Sequence, residues 1–396
     1  MSGPSAGITP FRIEVAQETL DDLSARLARA RLPSAPADAG WDYGIEPGYL
    51  SRLLEHWRTR YDWRAAEARL NRLPQFIARV GDHRVHVIVE RGSGADPLPL
   101  VLTHGWPGSF VEFETVIGPL AHPERFGGRI EDAFDVIVPS LPGYGWSSAP
   151  PAPISTRDIA RVWDQLMTSV LGYDRYVAQG GDWGGLVTSW LGVDAAERVA
   201  AIHLNIMGLR PYLGEGSPPL DAEEEAWVGR TRARLARETG YQAIQGTKPQ
   251  TLAYALTDSP VGLAAWIAEK FHGWSAPGPD GPPFTLDQIL TNVMVYWVTA
   301  TAGTASWLYT AARRLDGMRL GRGERVAVPT AFVSCPHDLF PAPPDRWVQR
   351  AYHCVRRTDL PVGGHFLAYE RPAEFVADVR AFFRDYRRPR SPSSST

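Results

Sequence analysis

Lysine is almost absent from this 396-residue chain: Lys248 and Lys270 are the only ones, and arginine supplies nearly all the positive charge. Together, 41 Lys and Arg against 44 Asp and Glu leave a formal net charge of -3. No basic excess remains to neutralise phosphates, so no nucleic-acid partner is expected. Cysteine is equally scarce, with Cys335 and Cys354 standing far apart and no CxxC spacing. That excludes a disulfide framework and a thiolate metal site, and it fits a reducing compartment such as the cytoplasm. No apolar run approaches the roughly 20 residues that a bilayer crossing needs. The stretch Met1 to Pro10 has neither a basic segment nor an apolar h-region, so no signal peptide is expected.

What is present is a globular composition, 44% hydrophobic and 21% charged. The length suits one large domain with an insertion, or two modest domains. Residues 1 to about 95 read as a leading segment. Its leucines from Thr19 to Leu27, and Leu53, Leu54 and Trp57 between Tyr49 and Arg60, recur at helical spacing. A strand follows at His86 to Glu90. From Pro99 the pattern changes to short apolar runs: Leu100 to Gly105, Phe134 to Pro139, Tyr176 to Gly181 and Ala200 to Leu204. Runs without polar alternation suit strands buried on both faces, as in a parallel sheet covered by helices.

After Met207 this rhythm stops, and residues 208 to about 317 read as helical apart from a Pro- and Gly-rich loop, Ser275 to Pro283. Strands resume at Pro329 to Ser334. A helical block set between two parts of one sheet reads as a lid over the strands' carboxyl ends. The expected division is a packing segment 1–95, a core of 96–207 and 318–390, a lid 208–317 and a disordered polar tail 391–396.

Three motifs carry chemistry. Gly180-Gly181-Asp182-Trp183-Gly184-Gly185 follows a strand and precedes a helix, which is the form of a nucleophile elbow with Asp in place of Ser. A carboxylate displaces well at saturated carbon and leaves an alkyl ester, whereas an activated serine suits acyl transfer. The bland alternative is a glycine turn in which Asp182 caps the next helix. His104-Gly105-Trp106-Pro107-Gly108-Ser109 follows an earlier strand. Its Trp106 N–H, with that of Trp183, could form an oxyanion hole, and Pro107 is a candidate for a cis bond. Gly363-Gly364-His365-Phe366 supplies a general base and Asp338 the carboxylate that orients it, in the order nucleophile, acid, histidine. His337 competes for the base, and Asp345 and Asp359 for the acid.

Taken together, HGWPGS, GGDWGG, Pro336-His337-Asp338-Leu339 and GGHF resemble the microsomal-type epoxide hydrolases. The likeness spans nearly the whole chain and includes the lid segments Glu238 to Gln250, Asp258 to Lys270 and Phe284 to Trp297. It implies an α/β-hydrolase fold with an N-terminal wrapping segment, in a soluble bacterial form without the membrane anchor of animal members. It also implies two lid tyrosines that donate to the epoxide oxygen. Matching context makes these Tyr241 and Tyr309, with Tyr296 and Tyr254 as competitors. An alkoxide leaves poorly, so a donor facing it lowers the barrier.

The lid aromatics Trp266 and Trp297 are candidates for lining a hydrophobic, aryl-accepting pocket. The expected reaction converts an epoxide and water to a vicinal diol without metal or organic cofactor, in secondary metabolism or detoxification. The expected partners are a small epoxide and water, with a homodimer as a candidate assembly. The rival readings are a haloalkane or haloacid dehalogenase and a catalytically silent binding protein on the same fold.

Overall fold

Each apolar run of the sequence becomes a strand of one sheet in the computed structural model, which describes residues 7–387 apart from 279, 280 and 316. The tail 391–396 lies outside the described residues. The strands are β1 (Ile8–Phe11), β2 (Gln75–Val80), β3 (His83–Glu90), β4 (Leu98–Thr103), β5 (Phe134–Pro139), β6 (Tyr176–Gly180), β7 (Val199–Leu204), β8 (Val326–Ser334) and β9 (Tyr352–Asp359). They lie in the order β1-β2-β3-β5-β4-β6-β7-β8-β9. From β5 to β9 every pairing is parallel. Every residue of β5 and β6 is buried, because helices cover both faces of the sheet there.

The N-terminal segment differs from expectation. Its helices Gln17–Ala28 and Pro47–Thr59 bury Leu23, Leu27, Leu53, Leu54 and Trp57, as their spacing predicts. However, β1, β2 and β3 pair antiparallel and join the main sheet through β5, so the described residues of this segment, from 7 to 95, extend the sheet as well as packing on it. Neither β1 nor β2 stands out in the sequence. The first has four residues, none of them buried, and the second mixes Gln75 and Arg79 with its apolar positions.

The lid runs from helix Ala222–Glu238 to helix Trp307–Arg314, inserted between β7 and β8. Reciprocal capping starts its helices sharply, with Asp221 and Glu224 at one and Thr285 and Gln288 at another. Arg350 Nη2 donates to the buried Glu224 at 2.8 Å, which ties the first lid helix to helix Asp345–Ala351 beneath it.

Strand register positions the site. Parallel pairing sets Thr103 of β4 opposite Gly180 of β6, so the turns after these two strands emerge side by side. The approach is closer than side chains allow. A Cβ on Gly184 would lie 1.9 Å from the Thr103 carbonyl oxygen, and one on Gly180 would lie 2.2 Å from the Gly184 carbonyl oxygen. In an ordinary helix interior Gly→Ala stabilises by roughly 0.5–1 kcal/mol. Here the sign reverses: Gly184→Ala should destabilise by about 1–3 kcal/mol, because backbone blocks the new methyl. A urea titration checks this, and a raised midpoint would refute the packing argument.

Candidate active site

Asp182 opens helix Asp182–Asp194 with φ at 49°, a left-handed conformation that a non-glycine residue rarely adopts. The strain turns its side chain off the strand end toward the neighbouring turn. There Asp182 Oδ1 accepts the Trp106 N–H at 2.8 Å, beside the cis Trp106–Pro107 bond. A Cβ on Gly105 would come within 2.2 Å of the same oxygen, so only glycine fits there. Trp183 is the second residue of the helix, where backbone N–H groups have no intrahelical acceptor. The helix start and the donor turn therefore both present backbone N–H groups around Asp182.

His365 lies on the other side of this carboxylate. Its Nε2 is 3.3 Å from Asp182 Oδ2 and its Nδ1 is 3.0 Å from Asp338 Oδ1, with the imidazole side chain only 2% exposed. The His365 N–H donates to the Trp274 carbonyl at 2.7 Å, which fixes the loop to the lid. Asp338 also accepts the Phe340 N–H at 3.1 Å. Burial alone would depress the imidazole, but Asp338 and Asp182 outweigh it and raise the pKa to about 10. The unliganded site thus holds an imidazolium between two carboxylates.

The competitors are accounted for elsewhere. Arg357 pairs with both Asp345 and Asp359, and the His337 backbone is tied to Gly363. Tyr254 is 72% exposed, and the Tyr296 hydroxyl donates to the Gly108 carbonyl at 2.6 Å. Asn292 Nδ2 adds a bond to the Pro107 carbonyl at 2.7 Å, so a lid helix clamps the turn that carries Trp106. His104 is satisfied by Gly105 and Leu141, and burial pushes it down to about 4.

Tyr241 and Tyr309 are brought to the same place. Their ring centroids are 5.6 Å apart. Tyr241 stacks on Trp106 at 4.8 Å and Tyr309 meets Trp183 edge-on at 4.7 Å. Both are buried, and burial together with nearby Asp182 and neighbouring tyrosine pushes the Tyr309 phenol well above its ordinary range. Burial and Asp182 do the same to Tyr241. Each remains a neutral donor near neutral pH.

The two tyrosines, Asp182, Trp183 and Asp338 line a cavity of about 870 Å³. Trp266 and Trp297 do not line it, contrary to expectation. Trp266 Nε1 bonds Gln245 at 3.0 Å, and the Trp297 ring lies 5.9 Å from the Arg26 guanidinium. Both face lid and N-terminal helices, because an amphipathic helix between two layers buries aromatics on each side.

A second cavity of about 10 Å³ lies behind Asp182, lined by Glu112, Gln179, Asn205 and His365 among others. It has room for about one water. Glu112 is the residue that motif reasoning missed. Ser109 caps the short turn Phe110–Phe113, which carries Glu112 back against Gly108. A lone carboxylate within Phe110-Val111-Glu112-Phe113 was the available signal. Burial raises its pKa to about 8, with His365 opposing and Asp182 adding to the rise.

The fold and its insertion are those of the α/β-hydrolases, and residues 99–241 match the model of that fold. Residues 8–113 match the epoxide hydrolase N terminus. A Stigmatella aurantiaca protein carried under a provisional epoxide hydrolase name is 41% identical, over 96% of this chain and 86% of its own. Epoxide hydrolase 1 of Sus scrofa is 34% identical, over 95% and 88%. The solved Aspergillus niger epoxide hydrolase superposes with a TM-score of 0.83 at 32% identity, covering 97% of each chain. The chain belongs to the microsomal-type epoxide hydrolase family. Among the described residues no helix is long and apolar enough to cross a membrane.

Asp182→Asn removes one of the two charges that hold the His365 proton. The imidazole midpoint should then fall from about 10 toward its ordinary 6.5, read by NMR titration of the ring. An unchanged midpoint would separate His365 from Asp182.

Proposed function

We propose that the chain opens a hydrophobic epoxide to a vicinal diol through an ester on Asp182. The observation that carries this reading is the shared cavity wall, where two buried phenols stand beside a carboxylate already held by a backbone N–H. A halide leaves without a proton, so two neutral donors favour an epoxide over a haloalkane. In the first step Asp182 Oδ2 attacks an epoxide carbon and the carbon–oxygen bond of the ring breaks. Its electron pair goes to the oxygen, which takes a proton from Tyr241 or Tyr309. The tyrosinate is reprotonated at the expense of the His365 imidazolium. Ester formation removes the Asp182 charge that kept His365 protonated, so the base becomes available only when it is needed.

In the second step His365 takes a proton from water in the small cavity, and the hydroxide adds to the Asp182 carbonyl carbon. The charge collects on Oδ1, which already accepts the Trp106 N–H, and Trp183 supplies the second donor. The intermediate collapses with loss of the diol oxygen, which takes the proton back from His365, and the acid proton left on Asp182 then passes to His365 to restore the carboxylate and the imidazolium. Glu112, largely the neutral acid near neutral pH, orients the water without adding negative charge beside the ester.

His365→Gln should form the ester and fail to release it. Mixing this variant with styrene oxide should give one equivalent of epoxide loss and an intact-protein mass increase equal to the epoxide. Multiple turnovers without an adduct would refute the two-step route. Tyr241→Phe and Tyr309→Phe should each slow adduct formation by about 10- to 100-fold, the share expected for one of two proton donors. Unaltered rates in both would remove the tyrosines from the mechanism.

A further inference from the structure

The large cavity combines apolar and charged lining. At about 870 Å³ it stands near the upper end of the roughly 300–1,000 Å³ usual for small-molecule sites. A small aryl epoxide at Asp182 leaves much of it unfilled. Much of the wall is apolar, with Leu186, Ile206, Leu235, Phe332, Phe340 and Trp347. The lining also includes Arg210, Arg232, Arg313 and Arg319, all exposed residues, which puts them at its rim. The only carboxylates in the described lining are Asp182 and Asp338, at the reactive end.

Several arginines elsewhere sit in local ion pairs: Arg157 with Asp194 and Glu324, Arg198 with Asp164, Arg350 with Glu224, Arg384 with Asp132. Arg232, Arg313 and Arg319 form no ion pair with a carboxylate among the described residues, within a chain whose net charge is -3. Positive charge thus lines a cavity whose wall is largely apolar, with no carboxylate in the described lining beyond Asp182 and Asp338. A guanidinium fork matches a carboxylate in two parallel hydrogen bonds, and a charged rim raises the local concentration of the opposite charge.

We infer that the cavity takes an elongated apolar epoxide whose far end carries a carboxylate, received by the arginines at the mouth. The inference rests on the epoxide-opening reading above and names its substrate class. Because the rim is exposed, each contact is modest and salt weakens it. Selectivity arises from several arginines acting on one anion.

The test compares the terminal epoxide of undecanoic acid with its methyl ester, which has the same chain and reactive group. At low salt kcat/KM for the acid should exceed that for the ester by about three- to tenfold, falling toward equality at about 0.5 M salt. In the double variant Arg232→Gln/Arg313→Gln the acid-to-ester ratio should drop close to one. The ratio is taken within each protein, so a general loss of activity cancels. Equal kcat/KM for acid and ester in the unaltered protein would overturn the inference alone. So would an acid preference that survives in the double variant. Turnover of neither compound, nor of styrene oxide, would overturn the epoxide reading and the inference with it.

Discussion

The contact between the ends of β4 and β6 is the constraint on which the site depends. Two parallel strands with Thr103 opposite Gly180 bring two turns so close that glycine alone fits at Gly180, Gly184 and Gly105. Asp182 takes a strained backbone conformation as a result, and its carboxylate reaches the Trp106 N–H. The same oxygen would be the ester carbonyl in the proposed mechanism, so the donor that orders the resting site would serve the later oxyanion unmoved. The strain costs stability on the order of 1–3 kcal/mol, and the covered sheet around it supplies the rigidity that sustains it.

Charge is arranged with the same economy. His365 sits between two carboxylates that raise its proton affinity against the effect of burial. Glu112 is held neutral nearby for the opposite reason, since burial disfavours its ionised form. The proposed attack by Asp182 changes both environments by cancelling one negative charge. A single bond-forming event would thereby alter the protonation balance of the site.

Much of this was legible in the sequence, for identifiable reasons. Strands buried on both faces appear as unbroken apolar runs, so β4 to β8 could be seen, and turns too tight for a Cβ appear as paired glycines. Asp182 and His365, which the structure brings together with Asp338, could be singled out because they sit on such glycine turns, and Asp338 because it follows a strand end. β1 and β2 escaped because short edge strands with polar positions have no clear period. Glu112 escaped because its position depends on one turn of helix folding back on Gly108. Trp266 and Trp297 were placed at the wrong surface because composition cannot tell which face of a helix meets a cavity and which meets another helix. The arginines at the cavity mouth come from β7's following loop, two lid helices and the return to β8, and only the fold brings them together.

The central claim is a covalent ester on Asp182, and the origin of the diol oxygen tests it most directly. A single turnover in ¹⁸O-water, with enzyme in excess, should give unlabelled diol and one heavy oxygen in the peptide that contains Asp182. Label in the diol from that first turnover, with an unlabelled Asp182 peptide, would mean that water attacks the epoxide itself and would contradict the account.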